Sequence, residues 1–368
     1  MKLEARSAAA LFSPSKLTQA RQMLAITRAE LARRANVSAA AISQYESGAM
    51  RPRAATLAEL ALVLNVPLAF LIESRQSTPL PSVDTSFFRS LRRTTQRDRE
   101  RAAAYAGLLA QLVAEIDQRV TLPPFEPVPD LALDPDDEPE RAETAARAIR
   151  RRWQLDNEPI QHVVRLIERR GVVVARLPLN RDVDAFSWAS GPRPLVLLGE
   201  EKRNYERSRF DAAHELAHIL LHAADPEPAH PRMERQAHSF AGSLLIPAEA
   251  ITDQWPRGRW DWNQLVRIKQ VWGISVAALL IRGRDLNLIT AAAYESKMKY
   301  VSRMGWRRRE PGAQLAPEQP DLINQAIGLL VQHGTTLEQI AEHGNLLSAA
   351  ALLKLLCLTP RPPLRIDP

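Results

Sequence analysis

FDAAHELAHILLH, residues 210–222, decides how the second half of the chain is read. Its apolar residues recur at helical spacing, which predicts one helix. His214 and His218 are four apart, so their imidazoles share a face and lie close enough to hold one divalent ion. Glu215 is rotated toward the neighbouring space, where its carboxylate can take a proton from water at that ion and pass it to a leaving amine. Zinc suits imidazole ligands and acidifies water toward neutrality, which yields a nucleophile for an amide carbonyl. Two helix histidines beside a surface glutamate can also be purely structural. A third ligand separates the two readings.

The metzincin spacing requires a histidine at position 224, and Ala224 stands there. His222 is one turn past His218, but ligands on three successive turns strain a single helix, so His222 reads as a structural or supporting residue. The next apolar-periodic segment, MERQAHSFAGSLLIP (233–247), predicts a helix with Phe240, Leu244 and Leu245 turned to the core. The proline-rich loop DPEPAHP (225–231) turns the chain, so this helix can lie against the first and deliver Glu234 to the ion. His238, four residues on, faces the same way as Glu234. It can orient that carboxylate, stabilise an oxyanion or simply pack. His230 reads as an exposed loop residue.

Working outward, residues 140–170 predict two helices. GVVVARLP (171–178) and PLVLLG (194–199) are β-branched or apolar runs that predict strands, with AFSWAS (185–190) as a third. Helices are expected at about 205–222, 232–245, 262–272 and 275–284, the last two divided by Gly273. This order predicts an α+β fold, mostly α, with a small sheet.

Through RSRFDAAHELAHILLH, ERQAHSFAGSLLIP and LVRIKQVWGISVAALLIRGRDL, which match in order, the sequence resembles the ImmA/IrrE family of zinc metallopeptidases from about Glu140 to Gly312. The resemblance implies a zincin-like domain with His214, His218 and Glu234 as metal ligands and Glu215 as the catalytic glutamate. His238 departs from the family pattern, since many members carry asparagine there. The implied cofactor is Zn2+, with Mn2+ as the other candidate. Family members cleave a partner repressor and release stress or mobile-element genes, so the implied substrate is a protein.

A second pattern lies near the start: TRAELARRANVSAAAISQYESG (27–48). Thr27 can cap a helix whose inward positions are Leu31, Ala32 and Ala35. A turn follows at Asn36–Val37, and Ser38 caps a second helix that buries Ile42 and Tyr45 and stops at Gly48. With flanking helices at Lys16–Ala25 and Thr56–Asn65 and the segment Val66–Ile72, this predicts a five-helix core. The pattern resembles the Xre/Cro-type helix-turn-helix domain. The resemblance implies that helix 38–47 enters the DNA major groove with Ser38, Ala39, Ala40, Ser43 and Gln44 at its leading edge and outward face. Gln44 can pair bidentately with adenine, and the alanines offer contact with thymine methyls. Arg28, Arg51 and Arg53 are placed for phosphates. Two leading alanines read weakly, so a homodimer on a palindromic operator is expected.

The chain has 368 residues, 45% hydrophobic and 25% charged, which suits several folded domains and rules out wholesale disorder. Its net charge of +7 falls unevenly. Residues 1–119 hold 17 basic and 10 acidic side chains, while residues 120–368 hold 32 of each, so a polyanion should meet the first third. No apolar run has the roughly 18–20 residues of a membrane span, and no secretion signal opens the chain. The single cysteine, Cys357, excludes an internal disulfide and a thiolate zinc cluster. A cytoplasmic location is expected.

The expected organisation is therefore a DNA-binding domain over 15–74, a linker helix and proline-rich connector over 75–139, the metallopeptidase domain over 140–312, and a helical C-terminal extension over 313–368. The arginines of the linker helix (Arg92, Arg93, Arg97, Arg99, Arg101) suggest a solvated face. Residues 336–352 faintly echo 27–42, with one extra residue at the turn, and suggest a packing element. Two functions fit. One is a DNA-binding regulator carrying an active zinc endopeptidase that cleaves a repressor or other partner. The other is a transcription factor whose peptidase-like domain senses a ligand without cleaving.

Overall fold

The computed structural model describes residues 5–73, 95–178, 185–189, 191–200, 204–223 and 230–359. Linker residues 74–94, with Arg92 and Arg93, lie outside this range, as do Ala224, most of the loop 225–231 and the proline-rich end. The chain divides into two compact units. One comprises 1–125, 168–201 and 320–368, and the other 126–167 and 202–319.

The first unit opens with α1 (Ala5–Ala10), α2 (Pro14–Met23), α3 (Arg28–Arg34), α4 (Ala39–Glu46) and α5 (Ala54–Leu64). The capping expectations hold. Thr27 accepts a hydrogen bond from the Glu30 amide, and Ser38 accepts one from the Ala41 amide. Each satisfies an amide that the helix start leaves without a partner, an effect of about 1 kcal/mol. Leu31, Ala32, Ala35, Ile42 and Tyr45 are buried as expected, beside Leu17, Leu57, Leu60 and Phe70.

α6 (Gln96–Asp117) is the expected linker helix, but its surroundings differ from the solvated face suggested by its arginines. Every residue from Ala102 to Val113 is buried. The reason is composition: five alanines, a glycine and three leucines in that stretch let neighbours approach from all sides. Only Arg97 of its described arginines is exposed, and Arg101 donates to the Tyr105 hydroxyl at 3.0 Å. Gln19 of α2 donates to the Ala104 carbonyl at 3.1 Å, which ties the helix-turn-helix to α6.

The chain continues through α7 (Pro139–Arg152) and α8 (Val163–Arg169) into β1 (Val173–Leu177), β2 (Ala185–Trp188) and β3 (Leu195–Gly199). The sheet order is β1-β3-β2. β1 runs parallel to β3 with Val173 opposite Leu195, and β2 runs antiparallel with Trp188 opposite Leu195. All three strands are buried throughout, which explains why they read as near-continuous apolar runs. They belong to the first unit and share its core with α6.

The second unit contains α7 and the helices α9 (Tyr205–Leu221), α10 (Pro231–Leu245), α11 (Ala248–Gln254), α12 (Trp262–Trp272), α13 (Val276–Asp285) and α14 (Ala291–Arg303). α10 packs against both α7 and α9. Arg150, buried near the end of α7, holds that arrangement. Its guanidinium donates to the carbonyls of Leu244 (2.5 Å), Glu158 (2.6 Å) and Asp156 (2.9 Å). The first unit then closes with α15 (Leu322–Gln332), α16 (Leu337–His343) and α17 (Ala349–Leu355), whose Leu330, Ile340 and Leu352 join its core. α6 packs against α2, β3, α15 and α16.

Candidate functional site

α9 begins where the Asn204 side chain accepts from the Arg207 amide at 2.8 Å, and it carries His214, Glu215 and His218 on its later turns. α10 begins where His230 Nδ1 accepts from the Arg232 amide at 3.3 Å, so His230 is a cap rather than a loop side chain. Glu234 falls in the first turn of α10. Because α9 and α10 pack side by side, two imidazoles and a carboxylate meet. His214 Nε2 and His218 Nε2 are 3.2 Å apart; His214 Nε2 is 3.3 Å from Glu234 Oε2, and His218 Nε2 is 3.3 Å from Glu234 Oε1.

This triangle tests the implied metal. Ligands ~2.0–2.1 Å from a tetrahedral zinc are ~3.3–3.4 Å from one another, close to the separation of the two imidazole nitrogens and of each from its nearer Glu234 oxygen. The two imidazole nitrogens and both carboxylate oxygens are electron-pair donors in their metal-binding forms, so their convergence suits a cation. The residues present therefore fit zinc.

The surroundings grade from dry to open. His218 and Glu215 are buried, His214 and Glu234 are partly covered, and His238 is exposed. His238 donates from Nδ1 to the Glu234 carbonyl at 2.9 Å, which leaves Nε2 as its acceptor atom. Its ring lies edge-on to His214 at 4.7 Å, and ligand atoms of His214, Glu234 and His238 all fall within 4.8 Å. His238 is thus at the mouth of the triangle, a step from the position of a fourth ligand or an oxyanion partner.

Sequence reasoning placed His222 in support but missed Gln236. His222 Nδ1 is 3.1 Å from His218 Nδ1, and His222 Nε2 is 2.8 Å from Gln236 Oε1. The one signal in the sequence is that Gln236 shares a helix face with Met233 and Phe240, where a glutamine needs a partner that the sequence does not name. Cys357 is no rival nucleophile, since burial and nearby Glu200 push its thiol up to about 12.

In the first unit, Ser38, Ala39, Ala40, Ser43 and Gln44 are all exposed, as a groove-reading face requires. Ile42 and Tyr45 anchor the opposite face of α4. Arg28 is exposed while its Nε holds Glu46 at 2.6 Å, and Arg21 holds the same buried carboxylate at 2.5 Å. Arg51 reaches the Ala10 carbonyl at 2.9 Å, and Arg53 is exposed just before α5.

Residues 17–71 match the helix-turn-helix family, and residues 167–283 match the IrrE N-terminal-like domain of the M78 peptidases. The chain is a helix-turn-helix domain joined to an IrrE-like peptidase domain. A search of curated proteins found no match. The IrrE-like match includes β1–β3, α9 and α10, hence His214, His218 and Glu234. A helix-turn-helix domain implies DNA as one partner, and a peptidase-like domain implies a protein as another. Among the described residues, no single helix is long and apolar enough to cross a membrane.

Proposed function

We propose that the chain is a cytoplasmic transcriptional regulator whose IrrE-like domain is a zinc-dependent endopeptidase acting on a repressor or similar protein in a stress or mobile-element response. The expected boundaries serve this reading: DNA binding over 15–74, a connector over 75–139, the peptidase over 140–312 and an extension over 313–368. The observation that carries it is the convergence of His214, His218 and Glu234, with contacts of 3.2–3.3 Å between the imidazole nitrogens and from each to a Glu234 oxygen.

His214, His218 and Glu234 would hold the ion, which when bound supplies the Lewis acidity that activates water and polarises an amide carbonyl. Glu215 accepts the proton of the attacking water as the new C–O bond forms, then gives it to the amide nitrogen as the C–N bond breaks. Burial of Glu215 keeps that proton from exchanging with solvent. Exposed His238 is the group that a substrate carbonyl meets at the mouth, and once its acceptor Nε2 has taken up a proton it can donate to the developing oxyanion. On the DNA side, Gln44 and the Ser38–Ala40 edge meet bases while Arg28, Arg51 and Arg53 meet phosphates. A homodimer places two such faces on a palindrome.

The test is metal analysis of the purified full-length protein, followed by incubation with itself and with repressors encoded nearby. One zinc per chain and a discrete cleavage are expected. Glu215→Gln should abolish cleavage while zinc stays bound. Cleavage that persists in this variant removes Glu215 from the mechanism.

A further inference from the structure

Gln236 is buried on α10, and its side-chain amide has only one orientation open to it. Its Nε2 lies 2.8 Å from the carbonyl oxygen of Asp134 and 2.8 Å from that of Asp137. Both oxygens only accept, so the amide nitrogen must face them. Turning the amide over would crowd three oxygens together. Oε1 therefore faces the opposite way, where it meets His222 Nε2. An amide oxygen also only accepts, so His222 carries its proton on Nε2. A neutral imidazole has one proton, which makes His222 Nδ1 an acceptor. That nitrogen faces Nδ1 of His218 at 3.1 Å, so His218 donates and carries its own proton on Nδ1. His218 Nε2 is then bare, and it is the atom that points into the triangle.

We propose that Gln236 and His222 are positioning residues that preset His218 as a metal ligand. Two backbone carbonyls fix the amide, the amide fixes one imidazole, and that imidazole fixes the next. The inference rests on the metal reading proposed above. Its value is that His218 needs no proton rearrangement and no ring rotation when an ion arrives. The hydrogen bond at Nδ1 also makes Nε2 a better donor. Metal-ligating histidines commonly use a carboxylate or carbonyl for this purpose. Here a neutral histidine stands in, itself aimed by a glutamine, so the support adds no charge to the buried side of the centre.

The full-length protein with 15N-labelled histidine rings gives a direct readout through two-bond proton–nitrogen correlations. His222 should carry its proton on Nε2 in the metal-free protein and keep it there after one equivalent of zinc. A proton on Nδ1 of His222 in the metal-free protein overturns the proposal. Zinc affinity, measured by competition with a chromogenic chelator, supplies the second readout. His222→Leu and Gln236→Leu should each weaken zinc binding by about 10–100-fold. His222→Gln keeps an acceptor toward His218 and a donor toward Gln236, so it should recover most of that loss. Unchanged affinity in His222→Leu overturns the proposal even if the tautomer is as stated. Should Gln236→Leu fail to fold, the wild-type spectrum and the two His222 variants still decide. His214→Ala separates this inference from the metal reading. If His214→Ala loses zinc and His222→Leu does not, the metal reading survives and the relay is gone. If the wild-type protein takes up no zinc, the metal reading itself fails.

Discussion

Lys16 carries an ammonium group into the interior of the first unit, where it donates to Gln111 Oε1 at 2.6 Å and lies 4.6 Å from the centre of the Phe70 ring. Burial lowers its pKa to about 8 from the ordinary 10.5. Between those two values the unfolded chain holds a proton that the folded chain has released, so stability rises with pH across that window. Below about 8 both states are charged and the full cost of burial applies, on the order of 3 kcal/mol. Lys16→Met removes the titration, so urea unfolding at pH 7 and pH 10.5 should show the variant's advantage shrinking at the higher pH. A constant difference would contradict the assignment. At this scale the sequence was legible wherever a residue type announces its chemistry: His214, His218 and Glu234 come together in the structure as their spacing suggested. Gln236 was not legible, because an uncharged amide acquires meaning only from the carbonyls of Asp134 and Asp137, which lie in a connector that reads as non-core.

At the scale of elements, local signals were readable and non-local ones were not. The caps at Thr27 and Ser38 and the helix bounds around His214 depend on a few adjacent residues, and all of them recur in the structure. Burial of α6 depends on what packs around it, which its own arginines obscured. Ser38→Ala should destabilise the helix-turn-helix by about 1 kcal/mol, measured by urea unfolding, because the Ala41 amide loses its partner. α12 and α13 meet at 101° through Gly273, whose φ is +61°. A β-carbon there would approach Arg209 Nε to 2.7 Å. Gly273→Ala therefore meets both backbone strain and a buried guanidinium, and thermal unfolding should report a loss of about 1–3 kcal/mol.

For the whole molecule, charge and metal give separable expectations. Phosphate contacts release counterions, so operator affinity should fall steeply with salt, and Arg53→Ala should flatten the log–log slope by about 0.9 if Arg53 holds one phosphate. Binding titrations at several salt concentrations check this. Chelation should lower the unfolding temperature of the unit that contains α9 and α10, since an ion bound only to the folded state stabilises it. Calorimetry with and without chelator measures the shift. The division into units is what the sequence least disclosed. Reading along the chain groups neighbours, whereas Leu330, Ile340 and Leu352 share a core with residues as early as Leu17. During synthesis the start of the chain therefore waits for its end. The helix-turn-helix can form early, but the wall that α15 and α16 build on α6 cannot close until the ribosome has made more than about 340 residues. A premature stop near position 320 would leave a DNA-binding head on a core with one side bare.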